Sequence, residues 1–476
     1  MFNNTTNRTP AAGLIPYAPN EPQWKDNAVS SWLMALPGNG GVITPGEQIQ
    51  FQPTNYWTFP AGSVFVKNFD LVVNETNATV PPRRLETELL VRDNNGSVYG
   101  VTYKWRPDNS DADLLTGSLS ENISITNAAG VRTQTWYYAS PSDCQECHNT
   151  AVASSLSGVN VLGVNARQLN GNLTYAATGV TDNQLRTLNR LGLLNPAINE
   201  AAIGGFAQLS ALTNVSAPLQ ERARSYLDAN CEQCHQPGGQ GITWDARYDT
   251  PLAQQNITNY PAAFSLGISD GACVVKAEDI WRSVLMLRIN TLNQDIQMPD
   301  FRNLIDTNAV QVLTDWINSL PGTPALAPPA ILPNGGSFFS KVNVALQSPN
   351  TNAAIYFTLD GSLPTTHSPL YAGAFNLFSN VTVSAFASET NYNNSVAVSA
   401  LFLVQPLYFT SASYLTNGQF QLGFAGVTGS NYVLQATTNF SLWTPISTNT
   451  AVTSPFNLVD PGATNFPYRF YRVQQQ

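Results

Sequence analysis

Hydrophobic and polar positions alternate through much of the first 140 residues. In SVYGVTYKW, Tyr99, Val101, Tyr103 and Trp105 fall on one face of a strand and Gly100, Thr102 and Lys104 on the other, the two-residue period of a half-buried strand. RLETELLVR is a second strand, and DNNG (Asp93 to Gly96) between the two is a hairpin turn, because Asn-Gly tolerates positive φ. GSVFVKNF (Gly62 to Phe69) is a third. From about 141 to 320 the pattern turns helical. APLQERARSYLDAN places Leu219, Ala223, Tyr226 and Leu227 on one face, and AEDIWRSVLMLRIN does likewise with Ile280, Val284 and Leu287. DTNAVQVLTDWINSL starts at a capping residue, Asp306, and aligns Val310, Leu313, Ile317 and Leu320. PGTPALAPPAILPNGG (Pro321 to Gly336) carries five prolines, which cannot continue a helix and favour a stiff, extended linker. Beyond it, NAAIYFTLDGSLPTT, NVTVSAFAS, NYVLQATTNFSLWTPI and RFYRV read as strands and turns, spaced as in two small β-sandwich modules that divide near Val404–Leu407.

The expected architecture is therefore multidomain α+β. It has a β-rich N-terminal domain (1–140), a mostly α-helical region (141–320), a proline-rich linker (321–336), an Ig-like module (337–404) and a terminal β-sandwich module (405–476). A chain of 476 residues agrees with several domains. Charged residues are 11%, against about 25% in an average soluble chain, and Asn, Thr, Ser and Gly are abundant. This is the composition of an exported protein, periplasmic or extracellular. A net charge of -9 with no basic stripe argues against a nucleic-acid partner, and no apolar run reaches the roughly 18 residues of a membrane span. The opening MFNNTTNRTPAAGLIPY has neither a basic n-region nor an apolar h-region, so either a signal peptide has been removed or Met1 opens a piece of something longer.

Candidate chemistry is concentrated in the cysteines. The chain has five cysteines and three histidines, and SDCQECHNT and DANCEQCHQPGG place six of these eight residues in two copies of Cys-x-x-Cys-His. Cys144, Cys147 and His148 make one copy and Cys231, Cys234 and His235 the other. A thioredoxin-like dithiol needs neither the adjacent histidine nor a second copy, and neither motif is expected to open a helix after a parallel strand. A zinc ribbon pairs its two halves across about 15–20 residues, far less than separates Cys147 from Cys231. A zinc site across that distance, or disulfides, stay open. Covalent haem c accounts for all six residues together: two thiols add to the porphyrin vinyl groups, and the following histidine is the proximal iron ligand. The expected cofactors are two covalently bound haem c groups.

For the second haem, the distal candidate is Met298 in DIQMPDF, held in a loop by Pro299, giving His/Met ligation and a raised potential. The bland reading is a methionine filling a gap in a core. For the first haem no methionine or histidine lies between His148 and Cys231. Met34 and Met286 read as core residues, and His367 belongs beyond the proline linker. That iron has a distant methionine, an unusual donor, or an open face. Arg167, Arg247, Arg282 and Arg288 could pair with haem propionates, although surface or helix-stabilising roles serve as well. Asp108, Asp111 and Asp113 in RPDNSDADLL miss the EF-hand spacing and its glycine, so they read as a solvated turn. Cys273 is unpaired and reads as a buried thiol. No Ser-His-Asp arrangement and no glycine-rich phosphate loop are present.

The segments GLIPYAPNEPQWKDNAVSSWLMALPG, WTFPAGSVFVKNF, QTWYYASPSDCQECHN, VLGVNARQLN, YLDANCEQCHQPGG and WDARYDTPL together resemble a bacterial dihaem c-type cytochrome family. Its members are often fused to, or encoded beside, quinoprotein sugar-dehydrogenase-like propellers. The likeness covers about residues 10–320. It implies that 141–320 is a dihaem cytochrome c region, with Cys144, Cys147, His148, Cys231, Cys234, His235 and Met298 binding the cofactors. His148, His235 and Met298 would be the metal ligands. The second-motif segment looks like a class I cytochrome c domain, whose first and last helices cross, with Tyr226 and Trp316 as candidates for that crossing. One departure is Met298-Pro299-Asp300, where the family usually reads Met-Pro-Pro. The resemblance also implies that a propeller and a signal peptide precede Met1, with NNTTNRTPAAG as the join. IYFTLDGSLPTTHSPLY and VTVSAFAS are similar to the Ig-like C-terminal domain of chitobiase-type enzymes, and the last module resembles small sandwiches that end large secreted bacterial proteins.

The resulting expectation is electron transfer from a dehydrogenase to a downstream acceptor through a redox partner protein, without catalysis by this chain. The alternative is a dihaem peroxidase-like enzyme with one open haem, for which the histidine content offers no distal acid–base group. A weaker third reading makes the sandwiches a surface module.

Overall fold

The computed structural model describes all residues except 1, 6, 39, 149–160, 240 and 242. The chain forms two compact units, Met1–Gly322 and Thr323–Gln476.

The first unit is organised by a six-stranded antiparallel sheet of β1 (Ile15–Tyr17), β2 (Val29–Ala35), β3 (Val64–Leu71), β4 (Arg83–Arg92), β5 (Val98–Trp105) and β6 (Ala112–Leu114), in that spatial order. The three strands read from the sequence are β3, β4 and β5. The β4–β5 turn forms where expected, with Gly96 at φ +84° and the Asp93 side chain accepting N–H groups from Asn95 and Ser97, each at 2.9 Å. A long hairpin, β7 (Leu119–Asn127) with β8 (Gly130–Tyr138), follows. Trp136 and Tyr138 pack with Phe69, Leu71 and Leu85 into one core. A second core joins Met34, Ile49, Phe51 and Trp57 to Leu169, Leu185, Leu188 and Leu193, so residues on both sides of position 140 share one interior.

The expectation of a mostly α-helical 141–320 fails. Strand outweighs helix among the described residues, 35% to 14%, and the helices here are short: α1 (Pro141–His148), α2 (Ala166–Leu169), α3 (Gln184–Arg190), α4 (Leu219–Cys231), α5 (Val284–Ile289) and α6 (Thr307–Ser319). The cause is the abundance of Asn and Asp, whose side chains offer backbone N–H groups a partner outside the helix. In AEDIWRSVLMLRIN the Asp279 carboxylate accepts from the N–H groups of Trp281 and Arg282, both at 3.0 Å. That turn delays the helix until Val284. Where a capped apolar stripe is uninterrupted, the reading holds. Asp306 accepts from Ala309 N–H at 3.0 Å at the start of α6. Ala223, Tyr226 and Leu227 of α4 share a core with Leu313, Trp316 and Ile317 of α6, so α4 and α6 pack on each other with Tyr226 and Trp316 inside.

One buried acid gives this unit a pH dependence. Glu21 is 5% exposed and accepts from Leu212 N–H at 2.6 Å; burial pushes its pKa from the usual 4.5 up to about 7. A carboxyl raised on folding stabilises the fold below its unfolded pKa and loses that contribution as pH rises through the folded value. About 2.5 pH units correspond to on the order of 3 kcal/mol. Glu21→Gln keeps an acceptor for Leu212 but carries no charge. Its urea midpoint is expected to fall less than the wild type's between about pH 5 and pH 8; parallel curves would assign the slope to another group.

The second unit contains two sandwiches. In the first, β9 (Ala330–Leu332), β11 (Val342–Gln347) and β13 (Phe375–Leu377) form one sheet, with β11 central. The other sheet orders β10 (Gly336–Phe339), β15 (Val398–Gln405), β14 (Val381–Ser388) and β12 (Ala354–Thr358). Along β15, Ala400, Phe402 and Val404 are buried while Leu401 and Leu403 are exposed, the alternation of a strand with one wet face. The second sandwich pairs β16 (Tyr408–Tyr414), β17 (Phe420–Ala425) and β20 (Phe456–Asp460) in one sheet. Its other sheet holds β19 (Thr444–Thr450), β18 (Asn431–Thr437) and β21 (Phe470–Gln475), around Leu422, Phe424, Tyr432, Leu434 and Leu458.

Candidate functional site

The first Cys-x-x-Cys-His lies on α1, directly after the antiparallel strand β8. Ser140 and Asp143 start this helix reciprocally. Ser140 N–H donates to the Asp143 carboxylate at 2.7 Å, and Asp143 N–H donates to Ser140 Oγ at 3.2 Å, which satisfies backbone donors that a helix start leaves open. Tyr137 Oη–H donates to the same carboxylate at 2.7 Å. The helix seats on β5 at Gly100, where an added Cβ would lie 2.4 Å from Cys144 Sγ, so only glycine permits this approach. The Gln145 side chain donates to Val98 O at 2.8 Å on the same strand.

The second motif begins at the last residue of α4. The chain then turns, with His235 N–H donating to Cys231 O at 2.8 Å. The His235 ring stacks on Trp244, centroids 4.4 Å apart. Burial pushes its pKa down to about 4, and the charge of Arg288 adds to this, so the imidazole stands neutral, the form that ligates metals. Its Nδ1 is buried without a hydrogen-bond partner among the described residues, and a Cβ on Gly241 would lie 2.5 Å from that atom.

Met298 is half-buried. Its N–H donates to Arg288 O at 3.1 Å, so the residue whose charge acts on His235 also anchors the methionine's backbone. Arg302 holds the rest of the loop by donating to four carbonyls: Pro299 at 3.3 Å, Leu304 at 3.0 Å, Arg288 at 2.9 Å and Thr291 at 2.8 Å. The buried Asp26 carboxylate accepts from the N–H groups of Asn303 and Leu304, each at 2.9 Å, and Phe301 stacks on Tyr137 at 5.5 Å.

These pieces converge. Cys147 and Cys234 lie close enough for each to act on the other, which raises the pKa of Cys147 and lowers that of Cys234. All four motif cysteines are free thiols, and burial pushes Cys144 and Cys231 up to about 12. A cavity of about 280 Å³ is bordered by Cys144, Cys147 and His148, by Glu232 and Gln233 of the second motif, and by Pro299–Arg302. Its sheet wall holds Trp32, Phe65, Phe69 and Leu90, together with three charged side chains, Lys25, Lys67 and Glu88. Lys25 pairs with Glu86 at 2.6 Å and with Glu88 at 3.2 Å. Burial pulls the Lys67 pKa down against the attraction of Glu88. Burial would raise the Glu88 carboxyl, but Lys25 and Lys67 outweigh it and hold the pKa below its ordinary value.

The donor set suits haem c: paired free thiols beside a largely apolar cavity, a neutral buried imidazole, and a thioether in a braced loop. Among the described residues no group of three or more His, Cys, Asp or Glu is placed to hold a metal ion. Met34 and Met286 sit in separate hydrophobic cores, and His367 is an exposed residue of the second unit. Arg167 is 2% exposed and is occupied by Asp228, Glu232 and Asp249. Arg247 pairs with Asp245 at 2.7 Å, and Arg282 pairs with Asp279 at 2.9 Å and Asp270 at 3.2 Å. Arg288 makes no ion pair among the described residues, and its Nη1 donates to Ile296 O at 3.0 Å. Asp108 folds back on Ser110 and Asp113 pairs with Arg106 in an exposed turn, and Cys273 is buried. Sequence reasoning passed over Lys25, Lys67 and Glu88. The signal was present in VFVKNF, where Lys67 shares a strand face with Phe65 and Phe69.

Residues 333–400, most of the first sandwich, match the family described as the Chitobiase/beta-hexosaminidase C-terminal domain. This module is therefore an Ig-like sandwich similar to the one that ends those enzymes; the match does not extend to residues 10–320. No curated protein matches the chain. A solved chain described as "Cytokine receptor complex - Crystal form 2" aligns over 30% of this chain and 86% of its own length, at 11% identity and a TM-score of 0.15, and no argument is built on it. No helix among the described residues is long and apolar enough to cross a membrane.

Proposed function

We propose that this chain is an extracytoplasmic dihaem c-type cytochrome that carries electrons from a dehydrogenase, of the quinoprotein sugar-dehydrogenase class, to a downstream acceptor. The observation that supports this reading is the cavity that Cys144, Cys147 and His148 share with Glu232 and Gln233 of the second motif and with Pro299–Arg302, the loop after Met298. Cys144 and Cys147 would hold one haem, with His148 as iron ligand. Cys231 and Cys234 would hold the other, with His235 and Met298 as ligands. Held by these residues, each haem would supply one-electron redox chemistry. The chain's own part is to orient and to exclude water. Trp244 fixes the plane of the His235 ring, and burial keeps that imidazole unprotonated. Trp32, Phe65, Phe69 and Leu90 supply a dry wall beside the first motif.

The test is haem content after maturation with the c-type attachment machinery. The wild-type chain is expected to carry two haems by pyridine haemochrome and mass. Cys144→Ser with Cys147→Ser should leave one, Cys231→Ser with Cys234→Ser should leave one, and the fourfold variant none. A wild-type chain that takes up no haem sinks the reading.

A further inference from the structure

We propose that Lys67 supplies the second axial ligand to the iron anchored at His148, an assignment that rests on the dihaem reading above. Among the described residues the first motif lacks a free partner of the usual kinds, since Met298 serves the other iron in that reading. Met34 and Met286 are enclosed in separate hydrophobic cores, His235 belongs to the other motif, and His367 lies in the other unit. Residues 149–160 contain no methionine, histidine or lysine.

Apart from the motif itself, the ligand-capable side chains bordering the cavity are carboxylates, Tyr17 and two lysines, Lys25 and Lys67; burial raises the Tyr17 pKa and keeps its phenol protonated. The lysines are not equivalent. Lys25 is held by two carboxylates, at 2.6 and 3.2 Å. Among the described residues Lys67 has one hydrogen bond, a long one to Gln23 Oε1 at 3.3 Å, and lies over the Phe69 ring, 4.6 Å from its centroid. It projects from the middle of β3 on the face it shares with Phe65 and Phe69, directly opposite Glu88 on β4. A lone-pair nitrogen on a flexible four-carbon stem, set in an apolar wall, is the available donor best suited to iron. Glu88 retains Lys25 as its partner when Lys67 turns to the metal.

The experiment uses the full chain matured with haem. In the wild type both irons should be low-spin, no carbon monoxide should bind the ferrous protein, and near-infrared magnetic circular dichroism of the ferric protein should show an imidazole–amine charge-transfer band. Lys67→Ala and Lys67→Arg should each make one of the two irons high-spin and bind one carbon monoxide per chain. The arginine variant separates ligation from charge, because a guanidinium keeps the positive charge yet never gives up its proton. Lys67→Met should restore a low-spin iron with a raised potential.

Two haems with both irons still low-spin in the alanine and arginine variants would overturn the assignment alone, as would a wild-type chain that binds carbon monoxide, which favours the peroxidase-like alternative. Fewer than two haems in the wild type would overturn the functional reading and this assignment together. Should the variants fail to accumulate, the wild-type infrared band decides: imidazole–amine supports Lys67, and its absence rules Lys67 out.

Discussion

Replacing Arg167 with methionine will destabilise the first unit by about 3–5 kcal/mol, the usual loss when one side of a buried ion network is removed. Arg167 Nε donates to Asp228 Oδ2 at 2.8 Å, Nη1 donates to Asp249 Oδ2 at 2.9 Å, and Nη2 bonds to Glu232. Methionine fills a similar volume but leaves three carboxylates without their cation. Asp228 and Glu232 stand one helical turn apart at the end of α4, on either side of Cys231, so the network also fixes how the second motif is presented. The Glu232 pKa is already pushed up to about 8, first by burial and then by the Asp228 charge. The penalty should therefore grow as pH rises through about 8, where Glu232 ionises in the wild type beside Arg167 but is left without a cation in the variant. Urea midpoints of wild type and variant at neutral and mildly alkaline pH test this. A loss below about 1 kcal/mol would show that the carboxylates find other partners or water.

In the proposed dihaem protein, Met298→Ala is expected to convert one of the two irons to high spin. Its potential should drop by a sizeable part of the roughly 0.8 V range that axial ligands command, while the other haem keeps its spectrum. The loop itself should survive. The four carbonyls bound by Arg302, the two N–H groups held by Asp26 and the Phe301–Tyr137 stack do not involve the Met298 side chain. The change therefore reports the ligand and not a collapsed loop. Optical spectra and potentials identical to the wild type would remove Met298 from the ligand set.

Much of the local structure was legible in the sequence. The alternation in RLETELLVR and SVYGVTYKW and the Asn-Gly turn between them became β4, β5 and their hairpin. The Asp306 cap and the stripe behind it became α6. These features depend on side chains a few residues apart, where period and capping act directly on the backbone. The helical reading of 141–320 failed because periodicity counts apolar positions and ignores competition from Asp and Asn. Asp279 captures two N–H groups that a helix in AEDIWRSVLMLRIN would have needed. Arg167 looked free for a propionate because its three acidic partners lie 61 to 82 positions further along the chain.

By itself, the sequence determined the chemistry present: two Cys-x-x-Cys-His motifs, one Met-Pro loop, few charges, and a sandwich pattern after the prolines. Residue types and short spacings are written along the chain and need no fold to be read. Only the tertiary structure decided that Cys147 and Cys234 lie near each other, that the first motif borders a cavity also reached by Glu232, Gln233 and the loop after Met298, and that a lysine from the middle of a strand faces it. Those relations join residues tens to hundreds of positions apart, and they arise from which surfaces pack to bury apolar area and pair polar groups, a condition met by the whole unit at once.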